Sequence, residues 1–102
     1  MNVTVHNVKG SSKISQKPPF PYYSWLNYWE NNGGSEIKDD VLYKCPACGK
    51  AFTRKNFDGC HLQKISLIDR SWYIVPLCDS CNQRADMFSV KEELLVPVPS
   101  NL

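Results

Sequence analysis

Apolar and polar residues follow two rhythms along this chain, and the change from one to the other marks its elements. At the start, Val3, Val5 and Val8 alternate with polar neighbours, which predicts a short edge strand. Lys9-Gly10-Ser11-Ser12-Lys13 offers little to bury, and Pro18-Pro19-Phe20-Pro21 favours an extended path. Residues 1–20 are therefore expected to form an extended, partly mobile arm. Trp25, Tyr28 and Trp29 then fall three and four apart, so they share one face of a helix, with Ser24 as N-cap and Gly33-Gly34 as its left-handed stop. An aromatic stripe of this kind can stack on nucleobases. A small chain needs apolar area, however, so residues 21–34 are expected to pack on the core.

The rhythm of two returns further on. After a polar, acidic linker from Ser35 to Asp40, Val41-Leu42-Tyr43 reads as a short strand. Cys60 to Ser66 alternates, Leu67-Ile68-Asp69-Arg70-Ser71 supplies a turn, and Trp72-Tyr73-Ile74-Val75 is rich in strand formers, which together predict a β-hairpin. Asp79 to Phe88 reads as a helix. Residues 89–99 carry Val90, Leu94, Leu95, Val96 and Val98, with Pro97 and Pro99 confining the segment to a sheet edge. Residues 41–99 are thus expected to form a small α+β domain, joined by the N-terminal aromatic helix and a short C-terminal edge strand.

Composition changes this picture mainly through cysteine. The chain has 102 residues, which sets one domain as the expectation. A chain of that size buries only about 60–70% of its unfolded surface, so a covalent or metal staple matters to its stability. Four of its five cysteines form two C-x-x-C pairs, Cys45-Pro46-Ala47-Cys48 and Cys78-Asp79-Ser80-Cys81. Two such knuckles supply four thiolates to one tetrahedral structural zinc ion, and Gly49 gives the first the residue a tight reversal needs. Disulfides, free thiols and an iron-sulfur centre are the alternatives. No N-terminal apolar run marks the chain for secretion, which points to a reducing, cytoplasmic interior and makes the Asn2-Val3-Thr4 sequon a chance match. No apolar stretch approaches the roughly 20 residues of a membrane helix, so no membrane partner is expected. The formal charge of +2 is mildly basic and neither demands nor excludes nucleic acid.

Candidate chemistry lies in two places. Lys50, Arg54 and Lys55 surround Phe52 just after the first knuckle, a phosphate-contacting loop or simply a solvated one. His61 sits on the first hairpin strand, where it either bonds across the hairpin or does acid-base work. Its neighbour Cys60 should point to the other face of the strand, so the two do not make a nucleophile and base pair.

The order of these parts, knuckle, hairpin, then a helix holding the last two sulfurs, is that of a treble-clef zinc finger and of the ββα-metal motif. Cys45-x-x-Cys48, Gly59-Cys60-His61-Leu62, Val75-Pro76-Leu77-Cys78-x-x-Cys81 and Asn82 together resemble the zinc-stapled HNH endonuclease family, over roughly residues 41–88. Outside that core, Asn7 to Ser12, Ser24-Trp25-Leu26 with Trp29, and Trp72 to Cys78 look like small bacterial or phage HNH-like proteins without an assigned activity. The resemblance implies a divalent-metal-dependent phosphodiester endonuclease, with His61 as general base, Asn82 at the start of the final helix, and Asp86 or Asp58 adding oxygens to a Mg2+ or Mn2+ ion. Cys60 stands where active relatives often carry aspartate, and Tyr73 or Ile74 where the middle asparagine falls. The alternative it implies is an inactive treble-clef module that binds DNA, RNA or a protein partner.

Overall fold

A computed structural model describes residues 1–8 and 17–99. Its centre is an antiparallel hairpin of β4 (Phe57–Lys64) and β5 (Trp72–Cys78), paired from Phe57↔Cys78 to Gln63↔Trp72. The expected hairpin is therefore present, and it is longer at its open end than the alternation suggested. β5 is buried almost throughout, with Ile74, Val75 and Leu77 wholly inaccessible. A strand covered on both faces reads as a continuous apolar run, as Ile74-Val75-Pro76-Leu77 does.

Three more strands complete the sheet. β1 (Asn2–Asn7), β6 (Phe88–Lys91) and β7 (Val96–Pro97) give the order β6-β1-β4-β5-β7, with every neighbouring pair antiparallel. β1 is not the edge strand its alternation predicted. It lies between β4 and β6 with Val5 fully buried, so residues 2–7 are integral to the sheet, while the glycine-serine part of the expected arm, residues 9–16, lies outside the described residues. The C-terminal segment is indeed at an edge, but it splits into two strands at opposite edges, joined through a 3-10 turn at Glu92–Leu94.

That joint shapes the sheet. Neighbouring strands lie about 4.8 Å apart, so the outer strands of a flat five-stranded sheet would be about 19 Å apart. Only Glu92–Leu95 connect β6 to β7. Even fully extended they would span about 17 Å, and the 3-10 turn shortens them. The sheet therefore curls until its two edges approach.

α1 (Trp25–Asn31) covers one face. Ser24 caps it as expected, its Oγ accepting from the Asn27 N–H at 3.0 Å, and Gly33 follows at φ +132. A helix of seven residues has little stability alone. Packing holds it: Leu26, Tyr28 and Trp29 are buried, the Tyr28 hydroxyl donates to the Pro97 carbonyl at 2.7 Å, and Trp29 Nε1 donates to the Leu94 carbonyl at 2.8 Å. The aromatic helix is thus core, and its polar atoms are spent on the segment that bridges the sheet edges. It seats directly on β4 at Gly59, where an added Cβ would lie 2.5 Å from the Leu26 nitrogen and the Trp25 carbonyl carbon.

The second helix, α2, is shorter than the sequence suggested. It spans Asp79–Asn82 and ends at Gln83, whereas the pattern predicted helix as far as Phe88. Phe88 instead pairs with Val5 in the sheet. Among the described residues no helix is long and apolar enough to cross a membrane.

Candidate metal centre

The first knuckle belongs to a two-stranded ribbon, β2 (Tyr43–Lys44) against β3 (Ala51–Phe52). Between the strands the Gly49 N–H donates to the Cys45 carbonyl at 2.8 Å, and the Cys45 N–H donates to the Lys50 carbonyl at 2.8 Å. Gly49 adopts φ +78, a left-handed conformation glycine takes without steric cost. The second knuckle begins on Cys78, the last residue of β5, and ends on Cys81 within α2. One pair thus comes from a ribbon and the other from a strand-to-helix corner.

The two corners meet. The sulfurs of Cys45, Cys48, Cys78 and Cys81 all lie within 4.8 Å of one another, and Cys48 and Cys78 are 3.9 Å apart. A zinc ion with Zn–S bonds near 2.3 Å requires sulfurs about 3.8 Å apart on the edges of its tetrahedron. The Cys48–Cys78 pair meets that spacing and no pair exceeds it by more than about 1 Å, and none of the five cysteines is in a disulfide. Cys45, Cys78 and Cys81 are buried, while Cys48 is exposed.

Electrostatics inside the cluster favours a bound cation. Burial alone would push the Cys45 thiol up, but backbone N–H groups of Cys78, Cys48 and Ala47 outweigh it and bring the thiol down to about 7. Burial and the neighbouring thiols push Cys81 up to about 12, and burial raises Cys78 as well. One thiolate forms readily, and the next must form beside it. A dication removes that repulsion, which is why thiolate sites of this kind release protons as they take up metal.

The second knuckle is also tied from below. Asn7, at the end of β1, donates through Nδ2 to the Cys81 carbonyl and to the Arg84 carbonyl, both at 2.9 Å. Its Oδ1 is buried without a partner. Nothing in the alternation of β1 signals this role, because a polar residue ending a strand is ordinary.

The residues expected at a catalytic centre come from β4 and from the chain in and beyond α2. His61 shares the face of β4 that carries Gly59, packing edge-on against Trp25 at 4.9 Å and Trp72 at 5.7 Å between ring centroids. Burial lowers its pKa, and Nε2 is buried without a hydrogen-bond partner. Asn7 pairs in register with Leu62, whose side chain points to the opposite face, so the sheet stands between His61 and the turn that Asn7 holds. Asn82 lies exposed at the end of α2. Asp86 is not one helical turn beyond it, because the helix has ended, and its carboxylate is gripped by Arg84 at 2.9 and 2.6 Å. Asp58 is exposed and raised by desolvation and by the nearby Asp79 carboxyl. Among the described residues, the four cysteines are the sole group of three or more His, Cys, Asp or Glu side chains placed to hold an ion.

Cys60 points away from His61, as strand alternation requires. It is 2% exposed, its thiol is driven far up by burial, and Sγ donates to the Asp58 carbonyl at 3.3 Å. It is a core residue in this fold.

The basic loop is divided. Lys50 and Lys55 are exposed, whereas Arg54 is turned inward and forms an ion pair with Glu30 of α1. Arg54 also donates to the Ile37 carbonyl at 2.9 Å, and Glu30 accepts from the Ile37 N–H at 2.7 Å. Its guanidinium clasps helix, linker and ribbon together, a use that the run Lys50 to Lys55 gives no sign of. No protein-family model, curated protein or solved structure matches this chain.

Proposed function

We propose that this chain is a zinc-stapled, HNH-like treble-clef module that binds nucleic acid without cutting it. The convergence of four sulfurs from two knuckles carries the zinc part. The binding part is supported by the exposed Lys44, Lys50 and Lys55 on and beside the ribbon that the ion would stiffen. Phosphate contacts by such lysines give affinity without sequence information and weaken steeply with salt. The free thiols suit a reducing compartment such as the cytoplasm of a bacterium or a phage-infected cell.

The enclosure of His61 between Trp25 and Trp72, and the engagement of the Asp86 carboxylate by Arg84, support binding over hydrolysis. A phosphodiesterase of the HNH kind needs a base and a hard cation at one phosphate, and among the described residues His61 belongs to no group of three His, Cys, Asp or Glu side chains placed to hold one. One observation favours the nuclease reading instead: burial keeps His61 neutral at pH 7, the form a general base requires.

Two measurements separate these readings. Elemental analysis is expected to give one zinc per chain. Retardation of labelled single-stranded and double-stranded DNA and of RNA is expected to weaken as salt rises, and to weaken further in a Lys50→Ala, Lys55→Ala double variant. Plasmid is expected to stay intact with Mg2+ or Mn2+. Nicking that vanishes in a folded His61→Ala variant would establish the nuclease instead, and failure to retain any nucleic acid would leave a purely structural zinc domain.

A further inference from the structure

The amide of Asn7 meets two carbonyls that flank the end of α2, and both must be met by donors. Only the NH2 end of a carboxamide can do this, which fixes the orientation of the group. The cost is visible at the other end, where Oδ1 is buried with no donor. A strand end that served only the sheet would have no reason to bury an unmet oxygen. The Cys81 carbonyl also accepts from the Arg84 N–H at 3.2 Å, so the turn after the last sulfur is held from within and from across the sheet.

We infer that Asn7 is the positioning residue of the four-cysteine centre, acting through the backbone of Cys81 from a point 74 residues away in sequence. The inference rests on reading the cluster as a zinc site. Cys81 is held on a single turn of helix, which cannot fix a ligand by its own stiffness. Asn7 supplies that rigidity from β1, which is itself clamped between β4 and β6. Outer groups that orient metal ligands commonly govern affinity by 10–100-fold. The N-terminal strand is thereby part of the metal site as much as part of the sheet.

The test compares zinc affinity, by competition with a chromophoric chelator, in wild type, Asn7→Asp, Asn7→Ala and Val3→Ala. Asn7→Asp keeps the shape but loses both donors, and Val3→Ala loosens the same strand without touching either carbonyl. Both Asn7 variants are expected to bind zinc about 10–100-fold more weakly than wild type, and more weakly than Val3→Ala. With Co2+ in place of zinc, the visible bands should shift in Asn7→Asp and not in Val3→Ala. In zinc-loaded wild type, the side-chain amide protons of Asn7 should exchange slowly, and should lose that protection on chelation. Unchanged affinity and bands in the Asn7 variants, or rapid exchange of those protons in the loaded wild type, would overturn the proposal. If the variants fail to fold, the exchange measurement on wild type decides. Wild type that takes up no zinc would overturn the underlying reading, and would do so before any variant is compared.

Discussion

His61 lies with its ring edges against Trp25 and Trp72, so a charged imidazolium there would lose water and gain no carboxylate. Its folded pKa is depressed, and the sign of the linkage follows: the unfolded chain takes up the proton first as pH falls. Stability should be complete above the ordinary histidine value and decline as pH drops through it toward the folded value. Urea midpoints measured across that range should show the decline, and a His61→Phe variant should flatten it. Arg54 and Glu30 make a second prediction at this scale. Arg54 depresses the Glu30 carboxyl in spite of its burial, so the clasp is complete above the usual carboxylate range and is lost as pH falls below it. Arg54→Ala leaves a nearly buried carboxylate unpaired and should cost about 2–4 kcal/mol by urea unfolding at pH 7. The cost should shrink as Glu30 becomes protonated.

At the scale of elements, α1 and the hairpin were legible because each carries its period over enough residues. Ser24, Trp25, Tyr28 and Trp29 announce the helix, and the alternation from Cys60 to Ser66 announces the strand. The close seating of one on the other was not legible, since Gly59 gives no pattern. Gly59→Ala should force α1 off β4 and destabilise the fold by about 1–3 kcal/mol in denaturant titration, while leaving the four sulfurs able to bind metal. α2 misled for a physical reason. Asp79, Ser80, Asn82 and Gln83 are all exposed, so a longer helix would have no apolar stripe to bury. The apolar residue that seemed to extend it, Phe88, is claimed by Val5 across β1 and β6. Such long-range pairing leaves no local trace. It also removes Asp86 from the helical position one turn beyond Asn82 that the sequence suggested. The cysteine set was legible because ligand spacing within each knuckle is a local property.

Over the whole molecule, the cluster joins three parts from different stretches of the chain: the ribbon, the end of β5, and α2. Chelation by EDTA or a stronger thiol-competing chelator is therefore expected to lower the melting temperature sharply, and excess zinc to restore it, by the mass-action link between ligand and folded state. Cys81→Ser should show the lowered melting temperature even with zinc present. A cysteine outside the cluster gives the control: Cys60→Ala should destabilise by core loss alone and keep full metal stoichiometry.

The short bridge from β6 to β7 has one more consequence, for how the chain reaches this form as it is made. All four sulfurs lie within the first 81 residues, so a chain that ends soon after α2 already carries the whole ligand set. Both outer strands, and the carbonyls of Leu94 and Pro97 that receive Trp29 and Tyr28, come later. A released fragment ending before Glu92 should hold its metal while Tyr28 and Trp29 still lack the carbonyls they donate to, and only the addition of that final bridge completes the fold.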